Sequence, residues 1–266
     1  MKHISRILFL LLFSATTAVI AQNQETINKV DQDGLKQGYW EKHNPNGAIQ
    51  YSGSFINNKP VGQFKRYTKD GVLKVIMTYR ENSNKVYSEF YYPNTSIHSE
   101  GVYIEKLKDS TWSYYSIDGL KINEVMYLNN KKHGTERKYY GSGNLSEMSE
   151  WTNGVNNGLT IRYYESGNIM MRILYSNGIL NGEYNVFDSN EKVTIQGQYK
   201  NNKRDGKWMY YKENGHVESE INYTNGIADN QEELDRLERE QLELLEKNKG
   251  KIQKPAENMY NAIPPR

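Results

Sequence analysis

Aromatic side chains recur along this chain at a fixed interval, with polar turn residues between them. Residues 38–229 divide into eight lines of 24, with no insertion or deletion, beginning at Gly38, Gly62, Val86, Ser110, Gly134, Gly158, Gly182 and Gly206. Such self-similarity marks a repeat array rather than a single enclosed core. Counting the first residue of each line as position 0, position 5 is His43, Tyr67, Tyr91, Tyr115, Tyr139, Tyr163, Phe187 and Tyr211. Position 17 is Phe55, Tyr79, Tyr103, Tyr127, Trp151, Tyr175, Tyr199 and Tyr223. Position 2 is more varied: Trp40, Phe64, Ser88, Trp112, Glu136, Thr160, Tyr184 and Trp208.

Two turn signals fall in each line. Positions 8–9 include Asn46-Gly47, Asp70-Gly71 and Asn214-Gly215; positions 19–20 include Asn57-Asn58, Asn153-Gly154 and Asn225-Gly226. Asn and Gly supply the positive φ that tight hairpins need. Two turns per line leave two short strands, so each repeat is a β-hairpin and neighbouring hairpins pair into a continuous sheet. In the returning strand, positions 11, 13, 15 and 17 are expected to share one apolar face, with polar residues at 12, 14 and 16. In the outgoing strand, positions 2 and 5 differ in parity. Their aromatics lie on opposite faces, or a bulge intervenes; the pattern leaves both open. The fold class is all-β: an elongated antiparallel β-meander, or solenoid, of eight hairpin repeats closed by a C-terminal capping α-helix.

The ends depart from the repeat. Residues 1–21 read as a secretory signal peptide: Lys2 and Arg6, then the apolar run Ile7–Phe13, then Val19-Ile20-Ala21. Residues 22–37 resemble half a repeat and are expected to add an edge strand, with Asp31-Gln32-Asp33-Gly34 as a turn rather than a calcium loop. Residues 230–249 are expected to form a helix, N-capped by Asp229 or Asn230, with a partial stripe of Leu234, Leu237, Leu242, Leu244 and Leu245. It caps the last sheet edge or recruits a partner helix. Residues 250–266 read as a disordered tail. Repeats 3 and 4 carry Val86, Ser88, Thr95, Ser110 and Lys121 at positions that hold Gly, aromatic or apolar residues elsewhere. This reads as drift between supporting neighbours; the other reading is an altered surface around 86–122.

Composition agrees with a shallow sheet. The 266 residues include 22 Tyr, 6 Phe, 21 Gly and only 36% apolar side chains. Absence of Cys excludes disulfides, thiolate metal sites and a cysteine nucleophile. Without Lys2 and Arg6 the remaining basic and acidic side chains balance at 32 each, which removes the electrostatic motive for nucleic-acid binding. No segment is long and apolar enough to span a membrane. His43, His98, His133 and His216 occupy four different repeat phases, so no metal site is expected. No catalytic motif is present, and no cofactor or enzyme activity is expected. Glu136 stands out because it takes an aromatic position. Basic residues near the inter-repeat turns (Lys59, Lys106, Lys108, Lys131, Lys132, Lys203, Arg204) read as solvated turn residues.

The pattern G-x-W-x-x-Y-x-x-x-G, an aromatic, then N-G-x-x-x-G resembles the bacterial MORN-variant repeat of YwqK-type proteins. Gly206-Lys207-Trp208, Tyr211, Gly215, Tyr223 and Asn225-Gly226 show it best. The resemblance implies a β-meander with structural or binding roles and no catalytic residues to transfer. The expected function is an exported, non-catalytic scaffold that binds a protein partner at the cell envelope, periplasmic or extracellular. The candidate surface is Trp40, Trp112 and Trp208 at position 2 with Tyr67, Tyr91, Tyr115, Tyr139, Tyr163 and Tyr211 at position 5. One alternative is a cell-wall polysaccharide or peptidoglycan binder that stacks sugars on Trp40, Trp112, Trp151 and Trp208. Another, implied by the antitoxin label some YwqK-type proteins carry, is an inhibitor of a partner protein.

Overall fold

A computed structural model describes residues 27–247. The signal-peptide reading of 1–21 and the tail reading of 250–266 lie outside the described residues. Within them the chain forms one sheet of eighteen strands and one C-terminal helix, α1 (Gln231–Lys247). Each strand pairs antiparallel with the next in sequence, from Lys29–Val30 to Ile227–Ala228. In repeat 1 the outgoing strand is Lys36–His43 and the returning strand Ile49–Ile56.

The two turns of a repeat differ in type. At positions 19–20 of every repeat but the second both residues have positive φ, as at Asn153 (53°) and Gly154 (87°), which gives a two-residue hairpin matched to strand twist. At positions 8–9 only the second residue is left-handed, and the loop closes through Asn44 N to Ala48 O at 2.8 Å in repeat 1. Thr95 (φ 69°) and Glu191 (φ 61°) hold this left-handed position without glycine.

Two bulges set the faces. The register shifts by two residues where one repeat meets the next: Gly53 pairs with Phe64 but Ser54 pairs with Val61. The skipped stretch begins at position 0, where Gly62 (64°) and Ser110 (59°) adopt positive φ. Val86 is β-branched and resists that conformation. The junction into repeat 3 accordingly runs in one register from Val75↔Phe90 to Tyr79↔Val86, and the chain reverses through the longer loop 80–84.

The second bulge lies within each repeat. Tyr114 pairs with Asn123 but Tyr115 pairs with Lys121, leaving position 12 unpaired. One extra residue inverts side-chain parity. Position 11 therefore joins position 5 on one face, while 13, 15 and 17 join position 2 on the other. This corrects the expectation that 11, 13, 15 and 17 share a face, and it places the aromatics of positions 2 and 5 on opposite faces.

The ends of the sheet are handled differently. Asn28 plugs the outer edge of the first outgoing strand: its amide nitrogen donates to Glu41 O (3.0 Å), and its Oδ1 accepts from Glu41 N (2.9 Å). Asp31 Oδ1 accepts from the backbone N–H of Asp33 and Leu35, which makes 31–34 a turn. At the other end Ile227–Ala228 pairs only with Tyr223 and Thr224 of the strand Val217–Thr224. The next residues, Gln-Glu-Glu-Leu-Asp-Arg-Leu, are strong helix formers apart from Asp235, with Glu232 and Glu233 in the first turn. They leave the sheet as α1 instead of starting a ninth repeat. No helix among the described residues is long and apolar enough to cross a membrane.

Candidate functional site

One face of the sheet is packed against itself. Position-2 rings lie flat on position 15 of the preceding repeat. Three large rings lie over glycine, Phe64 over Gly53, Trp112 over Gly101 and Trp208 over Gly197, whereas Tyr184 faces Ile173. Where position 15 has a side chain, position 2 is often smaller: Ser88 with Met77, Glu136 with Val125 and Thr160 with Ser149. Position-17 rings close the remaining sides edge-on. Tyr103 meets Trp112 at 4.8 Å, and Tyr199 and Tyr223 flank Trp208 at 5.2 and 6.0 Å. Trp112 and Trp208 are each 1% exposed as a result. This removes both from the candidate binding surface and from any role as a sugar-stacking platform: their ring faces are spent inside the sheet. Trp40 is half-buried, and its indole N–H donates to Lys29 O and Gln37 O.

Cations cover this face. Lys36, Lys108, Lys132 and Arg204 sit 4.5, 4.4, 4.3 and 4.6 Å over the rings of Trp40, Trp112, Trp151 and Trp208. Lys108, Lys132 and Arg204 had read as solvated turn residues. The structure instead turns them inward from position 22, where cation–π attraction and the apolar stem both favour the ring. Strand alternation distinguishes them from the outward Lys131 and Lys203 at position 21, while Lys106 lies in the two-residue turn itself. Glu136 is 2% exposed and held by Lys132 at 2.6 Å and Asn123 at 3.1 Å. Its place in the aromatic row is thus a buried ion pair. Glu147 lies half-buried between Lys138 (2.8 Å) and Arg162 (2.9 Å).

The opposite face carries position 5. Tyr67, Tyr91, Tyr115, Tyr139, Tyr163 and Tyr211 form a half-buried row along it. Several hydroxyls reach back to position 14 of the preceding repeat: Tyr115 to Glu100 (2.5 Å), Tyr139 to Glu124 (2.7 Å) and Tyr211 to Gln196 (3.3 Å). Burial, and then the carboxylate partner, push the Tyr115 and Tyr139 hydroxyls above the usual tyrosine range. The bonds from Lys121 and Tyr139 hold Glu124 below the usual carboxylate range. His43 replaces tyrosine in the row and meets Glu41 at 3.0 Å. Along the margin of this face next to the two-residue turns, Met126, Leu128, Val155 and Leu174 remain 39–44% exposed.

Among the described residues no group of three or more His, Cys, Asp or Glu side chains could hold a metal ion. What the geometry offers is an ordered, shallow surface with fixed tyrosines, carboxylates and apolar side chains. That is the make-up of an all-β repeat sheet. The comparison with known families agrees. Residues 60–81, 132–153, 156–177, 180–201 and 204–225 each match the MORN repeat variant. The matched segments keep the 24-residue phase and start at the position-22 residue. The in-phase segments beginning at 36, 84 and 108 fall outside the matches, and the last two belong to the divergent repeats 3 and 4. A search of curated proteins returned no match to the chain.

Proposed function

We propose that this chain is an exported, non-catalytic scaffold that binds a protein partner at the cell envelope. The observation that carries the reading is the asymmetry of the sheet. One face spends its aromatics and cations on internal packing. The other leaves Met126, Leu128, Val155 and Leu174 open beside a tyrosine row in which the Tyr115 and Tyr139 hydroxyls are fixed. Exposed apolar side chains on an ordered sheet suit a protein surface, since tyrosine and methionine are favoured in interfaces. The five MORN repeat variant segments support a binding role, and residues 1–21 support export.

The test is site-specific photo-crosslinking in the native host, with the photoreactive residue at Leu128. A discrete adduct in the envelope fraction, lost when Val155→Glu is added, is the expected result. No adduct from Leu128 or Leu174, with the protein folded and present in the envelope, overturns the reading. Export is checked by mass spectrometry of the mature N-terminus, expected at Gln22; an uncleaved Met1 terminus would refute it.

A further inference from the structure

Repeat 3 places two acidic side chains against each other on the tyrosine face. Glu89 (position 3) and Glu100 (position 14) are direct partners on adjacent antiparallel strands, so their side chains share one face. No other repeat pairs two acids at these positions; the equivalents include Glu41 with Ser52, Lys65 with Ile76 and Arg137 with Met148. Like charges directly opposite destabilise a sheet. Among the described residues no basic side chain is bonded to either carboxylate. Lys121, which lies 6.0 Å over the Tyr115 ring, is tied to Glu124 at 2.7 Å.

Tyrosines surround the pair. Tyr87 and Tyr115 donate to the two oxygens of Glu100, both at 2.5 Å. Tyr91 lies close enough that Glu89 and Glu100, after burial, help hold its hydroxyl protonated. A carboxylate has about four acceptor sites, so Glu100 keeps about two free and Glu89 keeps all of its own. Neutral rings beside uncompensated carboxylates are the chemistry that takes up a flat organic cation: charge-assisted bonds in the plane, a ring against the face. The fold carries this repulsion in the stretch where the family pattern lapses.

The tyrosine row gives the bound segment a direction. Position-5 side chains of successive repeats are two strands apart, about 9.6 Å at the usual strand spacing. A polyproline II segment advances three residues in about 9.3 Å, so it keeps step with Tyr91, Tyr115 and Tyr139. Extended β-structure, with alternate side chains about 6.8 Å apart, does not.

We propose that Glu89 and Glu100, with Tyr87, Tyr91 and Tyr115, receive an arginine side chain from a polyproline II segment of the protein partner. This deepens the scaffold reading and rests on it. The guanidinium bridges the two carboxylates and relieves their repulsion, and the flanking prolines lie along the tyrosine row.

The experiment is an NMR titration of the full chain, carrying 13C-labelled tyrosine rings, with acetyl-PPRPP-amide. PPKPP, PPEPP and chitohexaose serve as comparisons. Saturable shifts at Tyr87, Tyr91 and Tyr115 are expected, with PPRPP bound at least fivefold more tightly than PPKPP and no saturation by PPEPP or chitohexaose. Glu89→Gln is expected to weaken PPRPP at least tenfold while melting at the same temperature or higher, because it removes a repulsion and no hydrogen bond. Flat titrations, equal binding of PPEPP, or unchanged affinity in Glu89→Gln each overturn the proposal. A flat titration beside a Leu128 adduct defeats this inference alone; absence of any adduct defeats the scaffold reading whatever the peptide does.

Discussion

Gly101→Ala tests the packed face at its tightest point. In most strands replacing glycine by alanine stabilises by roughly 0.5–1 kcal/mol, because the unfolded chain loses freedom. Gly101 has no positive φ, so its backbone accepts alanine without strain. The obstacle is the neighbour. A Cβ there would sit 2.4, 2.5 and 2.6 Å from three ring carbons of Trp112. The ring cannot swing away. It is 1% exposed, its N–H donates to Val102 O at 3.1 Å, Tyr103 meets it at 4.8 Å, and Lys108 lies 4.4 Å over it. Overpacking of this kind costs about 1–3 kcal/mol, which exceeds the alanine gain, so the net expectation is destabilisation by about 1–2 kcal/mol. Urea unfolding followed by tryptophan fluorescence gives the number. A double-mutant cycle identifies its source: with Trp112→Thr, which copies the Ser149/Thr160 pairing, the alanine penalty should vanish and leave a coupling of about 1–3 kcal/mol. Gly101→Ala at or above wild-type stability, or the same penalty in the Trp112→Thr background, would refute the reasoning.

Four further expectations follow from the same geometry. Thr95→Gly should raise stability by about 1 kcal/mol in urea, since Thr95 is β-branched at φ 69°; an unchanged midpoint would contradict the strain. Lys132→Ala should cost about 3–5 kcal/mol because it leaves Glu136, 2% exposed, buried without its cation. Lys131→Ala, one residue away and exposed, should change stability by less than about 0.5 kcal/mol, and equal effects from the two would deny the inward turn of position 22. Tyr127, Tyr184 and Tyr210 are held by burial at about 12. Raised folded-state values keep the neutral phenol favoured, so their contribution is complete below the ordinary tyrosine value near 10 and is lost as pH climbs towards 12. Ultraviolet titration should show a late-ionising group of tyrosines and alkaline unfolding in that window; complete ionisation near pH 10 with the fold intact would refute it.

Much of the architecture was legible because the repeat is local. Asn153-Gly154 announces its own hairpin through backbone preference alone, and the apolar rows at positions 5 and 17 need only counting. The candidate surface was legible in part. Tyr115 and Tyr139 do face outward as a row, but Trp112 and Trp208 are buried. The glycines that bury them, Gly101 and Gly197, lie eleven residues earlier in sequence and directly across in space. A pattern search treats those glycines as drift. The exchange of ring for Ser88 opposite Met77 becomes intelligible only once the two positions are known to touch.

The sequence by itself determined the period, the hairpins, the antiparallel order and the switch to helix after residue 229, since each rests on local turn chemistry and propensity. The tertiary structure alone decided which face each row occupies. A one-residue bulge at position 12 sends Lys121 to the side of Tyr115 and away from Asn123, and the face of every later side chain depends on that inversion. It also decided that Lys108 and Arg204 cover rings while Lys106 and Lys203 meet water, and that Glu89 confronts Glu100 with no basic side chain among the described residues bonded to either. Those outcomes are contacts between strands, and their energies come from burial and charge at distances that the order of residues along the chain does not measure.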